Sequence, residues 1–219
     1  MDLIQSDNVP VGLWSRRSSI ARMPRPQLHP TDTMLDAARD LMLRDGTRAA
    51  TVEAIAEVSG APIGSIYHRF GSREALITRL WIRAVHGSQA SFVAAMEHPD
   101  AEEAAVAAAL SIFDFCRKHP ADARLLASFG REELIGITPA GPLADELDKI
   151  NRPVKRAVIA LAKRLYAKRS RAAVDRTLLA VFDLPYGATR RHLISGHKPT
   201  PALRQDLEIA VRAVIENPL

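Results

Sequence analysis

Residues 51–76 read TVEAIAEVSGAPIGSIYHRFGSREAL, and their turn signals come too close together for the helices of an ordinary bundle. Thr51 is a good N-cap, since its side-chain oxygen can accept from a first-turn amide, and Val52, Ile55, Ala56 and Val58 follow at helical spacing until Gly60. Pro62 sits where a first turn tolerates proline, and Ile63, Ile66, Tyr67 and Phe70 define a second short helix before Gly71 and Ser72. Helices of about two turns do not persist alone in water, so packing must hold this pair while the second helix keeps an outer face. That is the arrangement of a helix-turn-helix, whose second helix enters the DNA major groove while the first crosses the backbone. A surface hairpin in a larger bundle would leave the shortness of both helices unexplained.

The outer face carries suitable chemistry. Ser65, Tyr67, His68 and Arg69 can hydrogen-bond to phosphates or base edges, and Ala61 and Ile63 are candidates for a thymine methyl. Gly64 leaves room for the backbone to approach DNA, whereas Ile66 and Phe70, one turn apart, read as the inward face. Thr51 joins the candidate DNA contacts at the start of the first helix. Ser72 and Arg73 do so at the start of the helix that follows, where the dipole and an arginine can both hold a phosphate.

These residues also carry a resemblance. Residues 31–76, about a fifth of the chain, resemble the DNA-binding domain of the tetracycline-repressor (TetR) family. The resemblance rests on Met34, Leu35, Ala37 and Ala38, then Gly46, Thr51, Val52, Ile55, Ala56 and Gly60, then Gly64, Ser65, Ile66, Tyr67 and Phe70, and finally Ser72 and Leu76. Two positions depart from the family pattern: Arg69 stands where His or Tyr is frequent, and Arg73 where Lys is usual. Both keep or add positive charge. The resemblance implies an all-α protein with an N-terminal three-helix DNA-binding domain, Tyr67 on a phosphate, and a helical ligand-binding and dimerisation domain downstream. It also implies a homodimer on a palindromic operator, in which helices 4 to 7 enclose a small-molecule pocket and the last two helices form an intersubunit four-helix bundle. A dimer also follows from geometry, because one short recognition helix reads too few base pairs for genomic specificity.

Composition agrees with a helical protein. Among 219 residues, 47% are hydrophobic but only 5% aromatic, and alanine is abundant. The single Cys116 excludes an intramolecular disulfide, and the longest stretch without Asp, Glu, Lys or Arg, Ala84–Met96, is too short to span a membrane. With no signal-peptide pattern, the expected location is cytoplasmic. The net charge of +5 is unevenly spread: residues 31–83 carry seven basic and seven acidic residues, 84–148 carry four and eleven, and 149–176 carry ten and one. The expected DNA reader is thus locally neutral.

Three segments are expected: a flexible basic arm at 1–29, the DNA-binding domain at 30–76 and the ligand-binding and dimerisation domain at 77–219. The arm holds Arg16, Arg17, Arg22 and Arg25 with no acid between them, which suits either a solvated tail or an arm lying along phosphates. Helix 1 is expected from about 31 to 44 and helix 4 from 72 to about 97, with Gly87 a point where it could break. Further helices are expected at 100–118, 120–134, 142–168, 171–194 and 200–216, with Pro153 and Pro185 kinking or breaking those that contain them.

Within that second segment, Trp81, Phe92, Phe113, Phe129 and Tyr166 are candidate pocket residues, against the simpler reading that they fill the core. Leu178, Leu179, Val181, Phe182, Leu207, Ile209, Val211 and Val214 are candidate dimer contacts. The basic run 149–176 reads as an outer face, because Val154, Val158, Leu161 and Leu165 share one side of a helix and Arg152, Arg156 and Lys163 the other; the acidic stretch 84–148 is its candidate complement. No phosphate loop, metal-spaced His and Glu pair or Cys cluster is present, so no enzyme, metal or cofactor is expected. Cys116 reads as a small core residue. The expected function is a sequence-specific DNA-binding transcriptional regulator, a repressor released by a small-molecule effector. The alternative is a helical protein-binding module of the same fold without DNA binding.

Overall fold

The chain is known from a computed structural model, which describes residues 31–130, 141–167 and 170–217. The basic arm lies outside the described residues. All described regular structure is helical: α1 (Thr31–Asp45), a 3-10 turn (Thr47–Ala49), α2 (Val52–Ser59), α3 (Ile63–Phe70), α4 (Arg73–Ala95), α5 (Ala101–Lys118), α6 (Pro120–Ser128), α7 (Pro142–Lys149), α8 (Arg152–Tyr166), α9 (Arg171–Leu178), α10 (Leu184–Ile194) and α11 (Pro201–Glu216). A π-helical turn, Leu179–Asp183, joins α9 to α10.

The helix starts follow local chemistry. Thr51, Ser72, Asp100, Ser170 and Thr200 each cap a helix by accepting from an amide two or three residues on. Gly87 does not interrupt α4. An internal glycine costs only about 1 kcal/mol, and α4 lies against α5 there, with Phe115 3.6 Å from where a Cβ on Gly87 would stand. The single helix expected at 142–168 is instead two, broken at Ile150 and Asn151, with Pro153 in the first turn of α8 where its missing N–H is harmless. Pro185 is accommodated differently. The amide of Leu184 donates to the carbonyl of Leu179, five residues back, and this widened turn carries the rod through the proline without a break.

Two main cores share α4. The first packs α1, α2 and α3 against the first half of α4 and includes Met34, Leu41, Ile55, Ile66, Leu76 and Leu80, with Leu125 contributed by α6. The second joins Phe92 of α4 to α5, α8, the π-turn and α11 through Phe113, Val158, Leu161, Val181 and Val211. Helix α4 therefore belongs to both cores, with Leu76 to Ala84 in the first and Phe92 in the second. At about 1.5 Å per residue, the 23 residues of α4 reach roughly 35 Å from the head into the larger domain. Arg164 fixes the far end of this helix by donating to the carbonyls of Met96, His98 and Pro99.

Candidate nucleic-acid interface and cavity

Gly60 adopts a left-handed conformation (φ 68°, ψ 7°) that ends α2, and Pro62 in extended conformation opens α3. This turn divides α3 into two faces. Ile66 is fully buried and Phe70 packs against the head core, as their spacing indicated. Ile63 (43% exposed), Gly64, Tyr67 (48% exposed) and His68 form the outer face, with Ser65 and Arg69 half-buried on its flanks. Nothing lies within 4 Å of a Cβ added to Gly64, so packing inside the protein does not require a glycine there. Thr51 caps α2 by accepting from Ala54 at 3.1 Å, and Ser72 caps α4 by accepting from Ala75 at 3.1 Å.

Three residues differ from their sequence reading. Ala61 is buried, packed into the head core at the turn, and cannot meet a thymine methyl. Val58 is 54% exposed, because two-turn α2 has room for only one inward stripe, made by Val52 and Ile55. Arg73 turns inward: its Nε donates to the carbonyl of Ala50 at 2.7 Å and its Nη2 to that of Thr47 at 2.5 Å. It thereby clamps the turn before α2 onto the start of α4, and its donors address backbone oxygens rather than an open phosphate site.

Most other arginines of the head are engaged internally. Arg44 pairs with Asp45, and Arg79 reaches Glu146, each at 2.7 Å. Arg39 and Arg83 join a cluster with Asp32, Asp36, Asp40 and Asp122. Arg69 donates to the hydroxyl of Thr31 at 3.4 Å. Arg48, on the turn just before α2, is exposed and has no ion pair among the described residues, so it is a cation that the sequence reading passed over. Its signal was its position beside the N-terminus of α2, legible only once the neighbouring cations had found partners.

Above the head, a cavity of about 400 Å³ opens between α4, α5, α6, the start of α8 and the α9–α10 rod. Trp81 and Phe92 line it, as do Phe115, Leu126, Phe182 and Tyr186; Phe182 stacks on Tyr186 at 5.7 Å and meets Phe92 edge-on at 6.4 Å. No Asp, Glu, Lys, Arg or His is among the lining residues, whose polar members are Ser88, Gln89, Cys116, Asn151 and Tyr186. Gln89 donates to Asn151 at 2.9 Å, bridging α4 to the start of α8.

The other three aromatic candidates lie elsewhere: Phe113 is buried in the second core, Phe129 packs on the head core, and Tyr166 is half-buried near the end of α8. Phe113 and Phe115 are two residues apart on α5 and so point about 200° apart, which separates core from cavity. Cys116, read as core, borders the cavity; burial pushes its thiol up, and a hydrogen bond with Thr189 only partly opposes this.

The dimer candidates divide in the same way. Val181, Leu207 and Val211 are buried inside this chain's own second core, Val214 packs on that core, and Leu178 faces the cavity. Leu179, Phe182 and Ile209 (68% exposed) remain at the surface, together with Ile194. The basic run is an exposed face of α8 as expected; the acidic stretch meets it at Asp145 and Lys149, 3.9 Å apart, and meets α11 through Glu103 with Arg212 at 2.9 Å and Asp114 with Arg204 at 3.9 Å. Among the described residues no group of three His, Cys, Asp or Glu side chains could hold a metal ion, and no helix is long and apolar enough to cross a membrane.

Comparison with known proteins gives this geometry a context. Residues 34–80 match the family model described as bacterial regulatory proteins, tetR family. The fold is similar to that of the fatty acid degradation regulator FadR from Bacillus halodurans, at 17% identity and a TM-score of 0.63 over 84% of this chain and 98% of that one. It is also similar to the TetR family transcriptional regulator PfmR from Thermus thermophilus, at 17% identity and a TM-score of 0.62 over 85% and 98% of the two chains. A TetR-like transcriptional regulator from a Rhodococcus species aligns at 16% identity and a TM-score of 0.62 over 89% and 97%. No curated protein matches the chain by sequence.

Proposed function

We propose, from the premise that this chain is a TetR-family DNA-binding transcriptional regulator, that it acts in the cytoplasm as a homodimeric repressor, released from a palindromic operator by a small uncharged molecule. The observation that carries the reading is the sharing of α4. Its first turn is fastened to the helix-turn-helix through Arg73, and its second half forms a cavity wall through Val85, Gln89 and Phe92.

In this reading Ile63, Ser65, Tyr67, His68 and Arg69 address DNA, Gly64 lets the backbone approach, and Thr51, Ser72 and Arg48 lie beside phosphates at helix N-termini. Leu179, Phe182 and Ile209 form the apolar centre of the dimer contact, since large hydrophobics exposed on neighbouring helices favour a protein partner. An ion buried in an uncharged apolar cavity would lose its hydration without gaining a partner, which favours neutral, largely apolar effectors. Control by binding alone requires no catalytic group.

The test is a gel shift on DNA selected by the protein from a random pool, repeated with neutral apolar compounds. A selected sequence with two inverted half-sites, released by at least one such compound, is the expected result. Selection of no sequence would refute operator reading, and a single half-site bound by a monomer would refute the dimer.

A further inference from the structure

Helix α6 touches both ends of the proposed switch. Leu125 is fully buried in the head core with α1 and α4, whereas Ala123 and Leu126 form part of the cavity wall. Between these roles stands Asp122. Its carboxylate accepts from Arg39 of α1 at 2.8 Å and lies 3.9 Å from Arg83 of α4. Both arginines also hold Asp36 of α1, at 2.9 Å and 2.6 Å, so a single charge cluster ties α1 to α4 and α6, two of the helices that wall the cavity. Arg39, Arg83 and Asp122 are each about a quarter exposed or less, so water screens these pairs less than it would at the open surface.

We infer that the Arg39–Asp122 pair is a coupling contact, through which displacement of α6 by a cavity occupant is passed to α1, in parallel with the path along α4. The inference rests on the ligand-switched reading above. Asp122 and Ala123 are adjacent on one short helix, so an occupant that presses on Ala123 or Leu126 moves the carboxylate with the wall. Charged hydrogen bonds of this length weaken steeply when stretched, and α1 must follow α6 or lose the pair. Arg83 stands two residues from both Trp81 and Val85 of the opposite wall, so the same cluster receives motion from either side of the cavity. The pair matters here as a link between states; as a stabilising contact it would be interchangeable with other packing.

A double-mutant cycle on the full chain tests this without a known effector, using DNA that the wild-type protein selects from a random pool. Ala123→Leu and, separately, Leu126→Phe enlarge the wall into the cavity and stand in for an occupant. Asp122→Asn opens the pair, with Arg39→Gln as a second opening should the first variant not fold. With the pair intact, each filler should weaken DNA binding by about tenfold, within the usual range of allosteric coupling. With the pair open, only the path along α4 remains, and the factor should fall to about threefold, half of the coupling free energy. An equal factor in both backgrounds overturns the role of Arg39 and Asp122 and leaves the pocket-linked switch standing. No effect of either filler with the pair intact overturns the switch itself, and the coupling contact with it.

Discussion

Gly64 offers a sharp test of the reading head, because stability and function should respond to it in opposite directions. In the second position of α3, glycine forfeits helix propensity: the unfolded chain gains freedom, and no side chain covers the backbone. A Cβ on Gly64 would meet nothing within 4 Å, and its φ lies outside the left-handed region, so Gly64→Ala introduces neither clash nor strain. The substitution should stabilise the protein by about 0.5–1 kcal/mol, which for a chain of this size raises Tm by roughly 1–4 °C. The added methyl projects from the same exposed face as Tyr67 and His68, and in the proposed reading close approach of DNA to that face leaves it no space. Operator affinity should fall at least tenfold. Thermal unfolding monitored by circular dichroism and operator titration by fluorescence anisotropy, on the same preparations, measure the two effects. Unchanged affinity would refute the close approach at Gly64, and a lowered Tm would refute the claim that the glycine is unneeded for folding.

Arg73→Ala should destabilise the protein by about 1–3 kcal/mol, since it strips a charged donor from the carbonyls of Ala50 and Thr47, and Arg73→Lys should recover part of this in chemical denaturation. If Arg73→Ala instead weakens DNA binding without lowering stability, Arg73 is a phosphate contact after all. Removing residues 1–27 should flatten the dependence of log affinity on log salt by roughly 0.9 for each phosphate that the arm neutralises, and an unchanged slope would reduce the arm to a tail. Because burial raises the Cys116 thiol, the folded state retains its proton where the unfolded chain has lost it. The thiol's effect on stability is therefore absent below its ordinary value and becomes destabilising as pH rises through that value towards the folded one. Cys116→Ala should remove this slope from Tm measured against pH, and native protein should react slowly with iodoacetamide at neutral pH.

The reading head was legible because its signals are local. Thr51, Gly60, Pro62, Gly71 and Ser72 each act within a few residues, and each stands in the structure where its chemistry placed it. The inward pair Ile66 and Phe70 followed from a one-turn spacing. Arg73 could not be read this way, since the oxygens that hold it lie 23 and 26 residues upstream and meet it only when the head closes. Nor could the division of the aromatics. Phe113 and Phe115 have the same composition around them, and only the placement of α6 and the α9–α10 rod decides which one borders a cavity. Val181, Leu207 and Val211 show the same limit for the dimer face, because periodicity marks an apolar stripe without saying whether this chain or a second copy covers it.

The neutrality of the head also has a physical sense. Arg39, Arg44, Arg79 and Arg83 face carboxylates, Arg73 faces carbonyls and Arg69 the hydroxyl of Thr31, so six of the seven basic residues in 31–83 hold the protein to itself. In the proposed reading, a head held this way binds phosphates chiefly through oriented amides at helix starts and single cations such as Arg48, whose contribution depends on position. Such contacts reward one geometry. Displacing α1 or the start of α4 relative to the groove takes several of them out of reach together, whereas a densely basic surface would keep much of its attraction after the same displacement. In the proposed reading, the carboxylates that neutralise the head serve regulation: they lower non-specific affinity and leave the remaining affinity sensitive to the position of the helices that wall the cavity.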